Sequence, residues 1–207
     1  MILSVCIPTY SRREQLLKTA ALVCDQLPAD GELVISDNGS TDGTVEAVEA
    51  FAAAHPKQSV RLVKHSHNVG FDQNVLDVVS NARGDFCWLL GDDDVPRSGA
   101  LARICSELES PPSLAHMLMN HAQFDAVTQT ITKPRMVAVT TDLAPPTASD
   151  FFFHRCSSRS YFRRLGTNLI TVSANVVNRH KWLEASAHVG PFVGSNMIHV
   201  FIITRML

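Results

Sequence analysis

The chain has 207 residues, 45% of them hydrophobic, with 18 Lys and Arg against 20 Asp and Glu and a formal net charge of -2. This is an ordinary soluble composition, long enough for one well-buried domain. The near-neutral balance gives no push toward nucleic acid, and no stretch reaches the ~18 apolar residues of a membrane-spanning helix.

The opening "MILSVCIPTY" lacks a basic leader and runs into Pro8, so it reads as a first strand, Leu3–Thr9, and not as a signal peptide. Ser11 and Glu14 have the spacing of a capping box. Leu16, Leu17, Ala20, Ala21, Cys24 and Leu27 follow at helical spacing, and Pro28 to Gly31 ends that helix. Glu32–Asp37 is a second strand, and Val45, Val48, Phe51 and Ala52 mark a second helix. Val60–His65 is a third strand, and Val75, Leu76, Val78, Val79 and Ala82 mark a third helix. "FCWLL" is a fourth strand, and Ser98 caps a fourth helix carrying Leu101, Ile104, Cys105 and Leu108. Strand and helix alternating in this way predict right-handed crossovers and a mainly parallel sheet with helices on both faces, a Rossmann-like α/β fold. The strands are nearly continuous apolar runs, as expected when both faces are covered.

Beyond Pro111-Pro112 the pattern is less regular. "LAHMLMN" reads as a strand, "FDAVTQTITK" as a hairpin or added antiparallel piece, Asn168–Asn178 as a further strand, and "KWLEASAHVG" as a short helix. The expected organisation is a single domain over residues 1–207, with a ligand-binding half over 1–110 and a second half over 111–207. The apolar end, "MIHVFIITRML", suggests a shortened chain. The five cysteines form no C-x-x-C pair, and three sit in apolar runs. They read as buried free thiols in a reducing cytoplasm.

The polar clusters fall where the parallel strands end. Thr9 ends the first, Asp37-Asn38-Gly39-Ser40 the second and Asp92-Asp93-Asp94 the fourth, while Asn68 and Gly70 closely follow the third. In a parallel sheet all four emerge on one edge, where open α/β sheets bind ligands. Three adjacent carboxylates there suit a cation, and oxygen-only ligands suit Mg²⁺ or Mn²⁺, ions that keep coordination positions for substrate phosphates. The alternative for this triplet is a solvated acidic turn ahead of a helix. Neither G-x-G-x-x-G nor G-K-[ST] is present, so phosphate binding would run through metal and carboxylate.

In order and spacing, "SVCIPTYSR", "VISDNGSTDGT", "NVGFDQN" and "ARGDFCWLLGDDDVPRSGAL" resemble the motifs of glycosyltransferase family 2, which has the GT-A fold. The match covers roughly Leu3 to Leu108, and "LLGDDD" with "N-x-G-x-D-x-N" looks most like bacterial abequosyltransferase-like enzymes of surface-polysaccharide assembly. The resemblance implies transfer of a sugar from a nucleoside-diphosphate donor to a hydroxyl of a glycan or lipid-linked acceptor, assisted by Mn²⁺ or Mg²⁺. Thr9 and Asp37 would contact the base, Asp92 the ribose or sugar, and Asp93 the metal, with Asp94 in indirect support. Asn68, Gly70 and Asn74 match the motif that shapes the donor pocket. Asn74 also reads as a helix-face polar residue, and Gly70 as a turn glycine at positive φ.

The family places an acid pair in the second half, where this chain has Ser195 and Asn196. His199 is the nearest titratable group and stands as the candidate base or late metal ligand, against a packing histidine on an apolar helix. Glu184 is a weaker candidate. The aromatic and arginine-rich segment Phe151–Leu165 suits an acceptor loop or contact with the inner face of the membrane, against an ordinary connection packed on the sheet. A cytoplasmic protein is expected. Two other classes stay open: a nucleotide-binding remnant without transferase activity, and a nucleotidyltransferase, although the glycine- and lysine-rich loop of the latter is absent.

Overall fold

The computed structural model describes residues 3–109, 114–125, 127–128, 130–133, 151–152 and 169–206. Four strands of the first half, β1 (Leu3–Thr9), β2 (Glu32–Asp37), β3 (Ser59–Lys64) and β4 (Phe86–Leu89), alternate with helices α1 (Arg13–Cys24), α2 (Thr44–Ala54), α3 (Phe71–Ser80) and α4 (Ala100–Leu108). The four strands pair in parallel. The second half adds β5 (His116–Met119), an antiparallel ribbon of β6 (Gln123–Asp125) and β7 (Thr130–Lys133), then β8 (Phe151–Phe152), β9 (Asn175–Asn178), α5 (Arg179–Ser186) and α6 (Ile198–Met206). The main sheet has the order β3-β2-β1-β4-β9-β5-β8. β9 runs antiparallel between β4 and β5, so a strand from late in the chain completes the sheet beside β4.

Alternation along each strand divides the core into two layers. Val5 and Ile7 of β1 face one layer with Leu33 and Ile35 of β2, covered by Leu16, Ala20 and Val23 of α1 and by Leu101, Ile104 and Leu108 of α4. Cys6, Val34, Cys87 and Leu89 face the other layer, covered by Val75, Val78 and Val79 of α3, Trp182 of α5, and Ile198, Ile202 and Ile203 of α6. Helices on both faces of a largely parallel sheet are the architecture expected from the alternating pattern. Among the described residues, no helix is long and apolar enough to cross a membrane.

Three local expectations change. The capping box does not form. Ser11 lies at φ 51° and its backbone N–H donates to Ser40 Oγ at 2.8 Å, so Arg12 takes the N-cap position without a side-chain cap. Gly99, at φ 79°, precedes α4 in place of the expected Ser98 cap. In place of the long strand expected over Asn168–Asn178, the described residues hold 3₁₀ turns, among them Val172–Ala174, followed by the four residues of β9. Asn175 holds that turn, its Nδ2 donating to the carbonyls of Leu169, Thr171 and Val172 at 3.2, 2.7 and 3.2 Å.

Candidate active site

Sheet register alone brings the polar clusters together. Thr9 pairs with Asp37 across β1 and β2. Cys6 pairs with Leu89 across β1 and β4, so Thr9 and Asp92, each three residues further on, leave the sheet at the same level. Thr9 Oγ1 donates to Asp92 Oδ2 at 2.8 Å. Thr19 of α1 donates its hydroxyl to the carbonyls of Asp92 and Asp94, at 3.1 and 3.0 Å, and so fixes the backbone of the acidic triplet from below.

The three carboxylates are tolerated because each has a partner, one guanidinium nitrogen serving two of them. Asp92 accepts from Thr9 and from Arg12 Nη1, the latter at 3.1 Å, and its side chain is 9% exposed. The same Arg12 nitrogen lies 2.6 Å from Asp93 Oδ2, and Asp93 is 55% exposed. Asp94 turns away from both and accepts a hydrogen bond from Ser173 Oγ, while that hydroxyl oxygen accepts the N–H of Gly91 at 2.7 Å. A Cβ at position 91 would stand 2.7 Å from Asp94 Oδ2 and 3.3 Å from Ser173 Oγ, so a larger residue there would push these two side chains out of their present places. Burial pushes the Asp92 carboxyl above its usual range, opposed by the Thr9 hydrogen bond and the Arg12 charge. The Asp92 and Asp93 charges in turn raise the Arg12 guanidinium further above its ordinary value.

Beside this acidic turn lies a group of buried acceptors. Asp37 is fully buried. Its Oδ2 accepts the N–H of Ser40 at 3.0 Å, and its Oδ1 has no hydrogen-bond partner. Asn74 Nδ2 reaches the carbonyls of Thr9 and Ser36 at 3.3 and 3.1 Å, tying α3 to the ends of β1 and β2, while Asn74 Oδ1 and Ser36 Oγ are also without partners. Asn38 Nδ2 donates to Asn68 Oδ1 at 3.1 Å, Asn38 Oδ1 accepts the N–H of Val69 at 2.8 Å, and Asn68 Oδ1 accepts the N–H of Gly70 at 2.8 Å. Gly70 has φ 89° and open space where its Cβ would be, so the backbone angle explains the glycine there. Buried polar atoms are nearly always paired; of those without a partner among the described residues, Ser36 Oγ, Asp37 Oδ1 and Asn74 Oδ1 gather at the ends of β1 and β2, while others, such as Trp182 Nε1 and His199 Nδ1, lie elsewhere.

Among the described residues, no three His, Cys, Asp or Glu side chains converge into a metal cage. Mg²⁺ does not need one, since it is commonly held by one or two carboxylates plus substrate phosphates and waters. Asp92 and Asp93 provide such a pair, all oxygen, already bridged by a cationic guanidinium. Their chemistry fits a divalent ion.

On the second-half side, His199 is 1% exposed, and its Nε2 donates to the Ile170 carbonyl at 3.1 Å. Its ring meets Phe71 edge-on, with centroids 6.3 Å apart. Burial lowers its pKa and keeps the ring neutral. Ser195 and Asn196 stand where an acid pair was sought, and a carboxylate reaches that loop from another element. Asp72 of α3, 2% exposed, accepts the N–H groups of Gly194, Asn196 and Ile198 at 2.8, 2.9 and 3.2 Å and so caps α6. Glu184 lies in α5. Apart from the backbone of Phe151 and Phe152 in β8, the segment Phe151–Leu165 lies outside the described residues.

Sequence reasoning missed Arg12, Thr19, Ser173 and Asp72. Arg12 passed as a helix-entry residue, Ser173 was hidden inside an apolar run, and every partner lies more than 70 positions away.

A largely parallel sheet with a carboxylate turn after β4 defines the class, and solved structures of GT-A glycosyltransferases share the fold. TarS 1-349 from S. aureus superposes with a TM-score of 0.70 at 16% identity, covering 100% of this chain and 55% of that one. A mannosyltransferase from Pyrobaculum calidifontis in complex with GDP-Man and Mn2+ superposes with a TM-score of 0.61 at 18% identity, covering 96% and 50%. The sequence matches Glycosyl transferase family 2 over residues 4–185, and the chain belongs to that family. It is 30% identical to abequosyltransferase RfbV of Salmonella typhimurium, over 98% of this chain and 60% of the relative. It is 29% identical, over 57% of this chain and 37% of the relative, to a GalNAc(5)-diNAcBac-PP-undecaprenol beta-1,3-glucosyltransferase of Campylobacter jejuni. The chain thus spans 60% or less of the length of these curated relatives.

Proposed function

We propose that the protein transfers a sugar from a nucleoside-diphosphate donor to a hydroxyl on a glycan or lipid-linked acceptor during polysaccharide assembly. The observation that carries this reading is the pairing of a buried, partnerless Asp37 Oδ1 with the Asp92-Asp93 turn on the same sheet edge. Asp37 Oδ1 is an acceptor suited to a base N–H. Asp92, held by Thr9 through Oδ2, would face the ribose or sugar and would share with Asp93, whose edge is exposed, the holding of Mn²⁺ or Mg²⁺. When bound, the ion stabilises charge on the leaving diphosphate. The acceptor oxygen bonds to the anomeric carbon, the carbon–oxygen bond to the diphosphate breaks with its electron pair, and the hydroxyl proton passes to a base on the acceptor side. Asn68, Gly70 and Asn74 shape the donor pocket, and Asp94 supports the turn through Ser173. The geometry of His199 favours a positioning role: its neutral ring steadies the Leu169–Ala174 segment, which carries Ser173 to Asp94. The relative named for an undecaprenol-linked substrate supports a lipid-linked acceptor and contact with the inner membrane face.

Thermal shift with nucleoside diphosphates and their sugars, with and without Mn²⁺, together with an assay for sugar released from the sugar donors, tests the reading. A ligand at a hundredfold its Kd adds about 2.7 kcal/mol, roughly 5–10 °C in Tm for a chain of this size. Stabilisation by a nucleoside diphosphate, strengthened by Mn²⁺ and accompanied by slow donor hydrolysis, is the expected result. Binding without any release of sugar supports the nucleotide-binding remnant, and no stabilisation by any nucleotide overturns the proposal.

A further inference from the structure

Arg12 is an unusual residue for its place. It holds the N-cap position of α1, where Ser, Thr, Asp or Asn would satisfy a free amide and where the helix dipole disfavours a cation. It makes no capping bond. The chain nonetheless fixes it there firmly. Ser11 sits in the left-handed region, its N–H donating to Ser40 Oγ at 2.8 Å, and the N–H of Arg13 donates to Asp42 Oδ2 at 3.1 Å. The β1–α1 loop is thus stapled on both sides of Arg12 to the loop after β2. The outcome is a guanidinium that bridges Asp92 Oδ1 and Asp93 Oδ2 at 3.1 and 2.6 Å while remaining 51% exposed.

A single nitrogen lies between two carboxylates of adjacent residues, and a divalent ion held by the same two carboxylates would compete with it for that space. Two adjacent carboxylates without either cation would repel each other at the mouth of the site. Half exposure leaves the arginine side chain free to leave the pair, and a guanidinium freed beside a diphosphate binds its oxygens with a fork of donors.

We propose that Arg12 is a built-in counter-ion that holds the Asp92–Asp93 pair in the donor-free protein, is displaced by the divalent cation, and then binds the donor diphosphate. This rests on the glycosyltransferase reading of the edge, and it makes Arg12 a binding residue with two opposite effects. It suppresses metal binding when the site has no donor and strengthens diphosphate binding when the donor is present. The cation therefore enters efficiently only with the diphosphate, which prevents an idle metal from occupying the turn.

The test compares wild type with Arg12→Ala and Arg12→Lys, each shown to fold by circular dichroism and melting. Mn²⁺ alone is titrated by electron paramagnetic resonance of the free ion. Nucleoside diphosphate, and the parent nucleoside, are titrated by calorimetry in saturating Mn²⁺, where the cation has displaced Arg12 from the carboxylates in wild type. Arg12→Ala is expected to bind Mn²⁺ about threefold to tenfold more tightly than wild type, because a half-exposed competing charge is removed. It is expected to bind nucleoside diphosphate several-fold more weakly, with nucleoside affinity unchanged. Arg12→Lys, which keeps the charge, should return Mn²⁺ affinity most of the way to wild type, an outcome a purely structural role would not produce. Unchanged or weaker Mn²⁺ binding in folded Arg12→Ala overturns the proposal. If nucleotides bind neither protein, the glycosyltransferase reading fails, while the Mn²⁺ comparison still decides whether Arg12 and the cation compete.

Discussion

The two edges of the parallel sheet both bury polar groups and treat them differently. At the edge where β1 and β2 begin, Glu32 is 4% exposed and fully engaged: Ser4 Oγ donates to Oε1 at 2.6 Å, the N–H of Arg83 to Oε1 at 2.5 Å, and Arg61 Nη1 to Oε2 at 3.4 Å. Ser4 Oγ in turn accepts the N–H of Gly84 at 2.9 Å. At the edge where the same strands end, Ser36 Oγ, Asp37 Oδ1 and Asn74 Oδ1 are buried and unpartnered. One edge is closed within the chain, and the other is left incomplete. A satisfied buried network rigidifies a fold, whereas an unsatisfied one is costly and persists where something outside the chain completes it.

The contrast is broken most strongly from the closed edge. Glu32→Ala should cost about 3–5 kcal/mol, the range for removing one partner of a buried ionic network, measured by urea denaturation, with nucleotide affinity of the remaining folded protein unchanged. A loss under 1 kcal/mol would mean that the closed edge contributes no more than a surface pair. Next comes acid. His116, near the same edge, is 3% exposed, and burial depresses its pKa to about 4; its Nε2 faces Asn175 Oδ1 at 2.9 Å. A histidine depressed on folding contributes stability that is present above its unfolded pKa of about 6.5 and is lost as pH falls through its folded value. Stability should therefore decline by about 3 kcal/mol between pH 6.5 and 4, and His116→Gln should flatten that part of the profile. The smallest effect falls on the open edge. Asp37→Ala should weaken nucleoside binding by about 1–3 kcal/mol, the worth of a charged hydrogen bond, with little change in Tm. Equal nucleoside affinity for both proteins would remove Asp37 from base recognition.

The parts of the molecule legible in the sequence are those governed by local repetition. Short continuous apolar runs mark β1 to β4 and a period near four marks α1 to α4, because burial on both faces leaves continuous apolar strands and one-sided burial leaves one apolar stripe per helix. The open edge was legible as well, since parallel topology forces Thr9, Asp37 and Asp92 to one side whatever the details. What stayed hidden depends on approaches between distant residues. Arg12 reads as a solvated charge until the loop after β4 stands beside it, and Ser173 reads as part of a strand until Asn175 folds the preceding residues into a turn. Ser11 has the spacing of a cap but is drawn into the left-handed region by Ser40. In the second half, Asp72 supplies from α3 the carboxylate that the Gly194–Asn196 stretch lacks, an exchange of position that a linear motif cannot reveal.

The placement of β9 between β4 and β5 has a consequence for how the protein is made. β4, which leads into the acidic turn, has one edge without a partner until residues 175–178 leave the ribosome, about 90 residues later. At ~5–20 residues per second, that is roughly 5–20 s during which an apolar strand edge is open on a nascent chain. The half that carries the acidic turn is therefore complete in sequence well before it is complete in hydrogen bonding. During that interval a chaperone, or slow codons placed after β4, would govern the yield of folded protein more than the stability of its finished core.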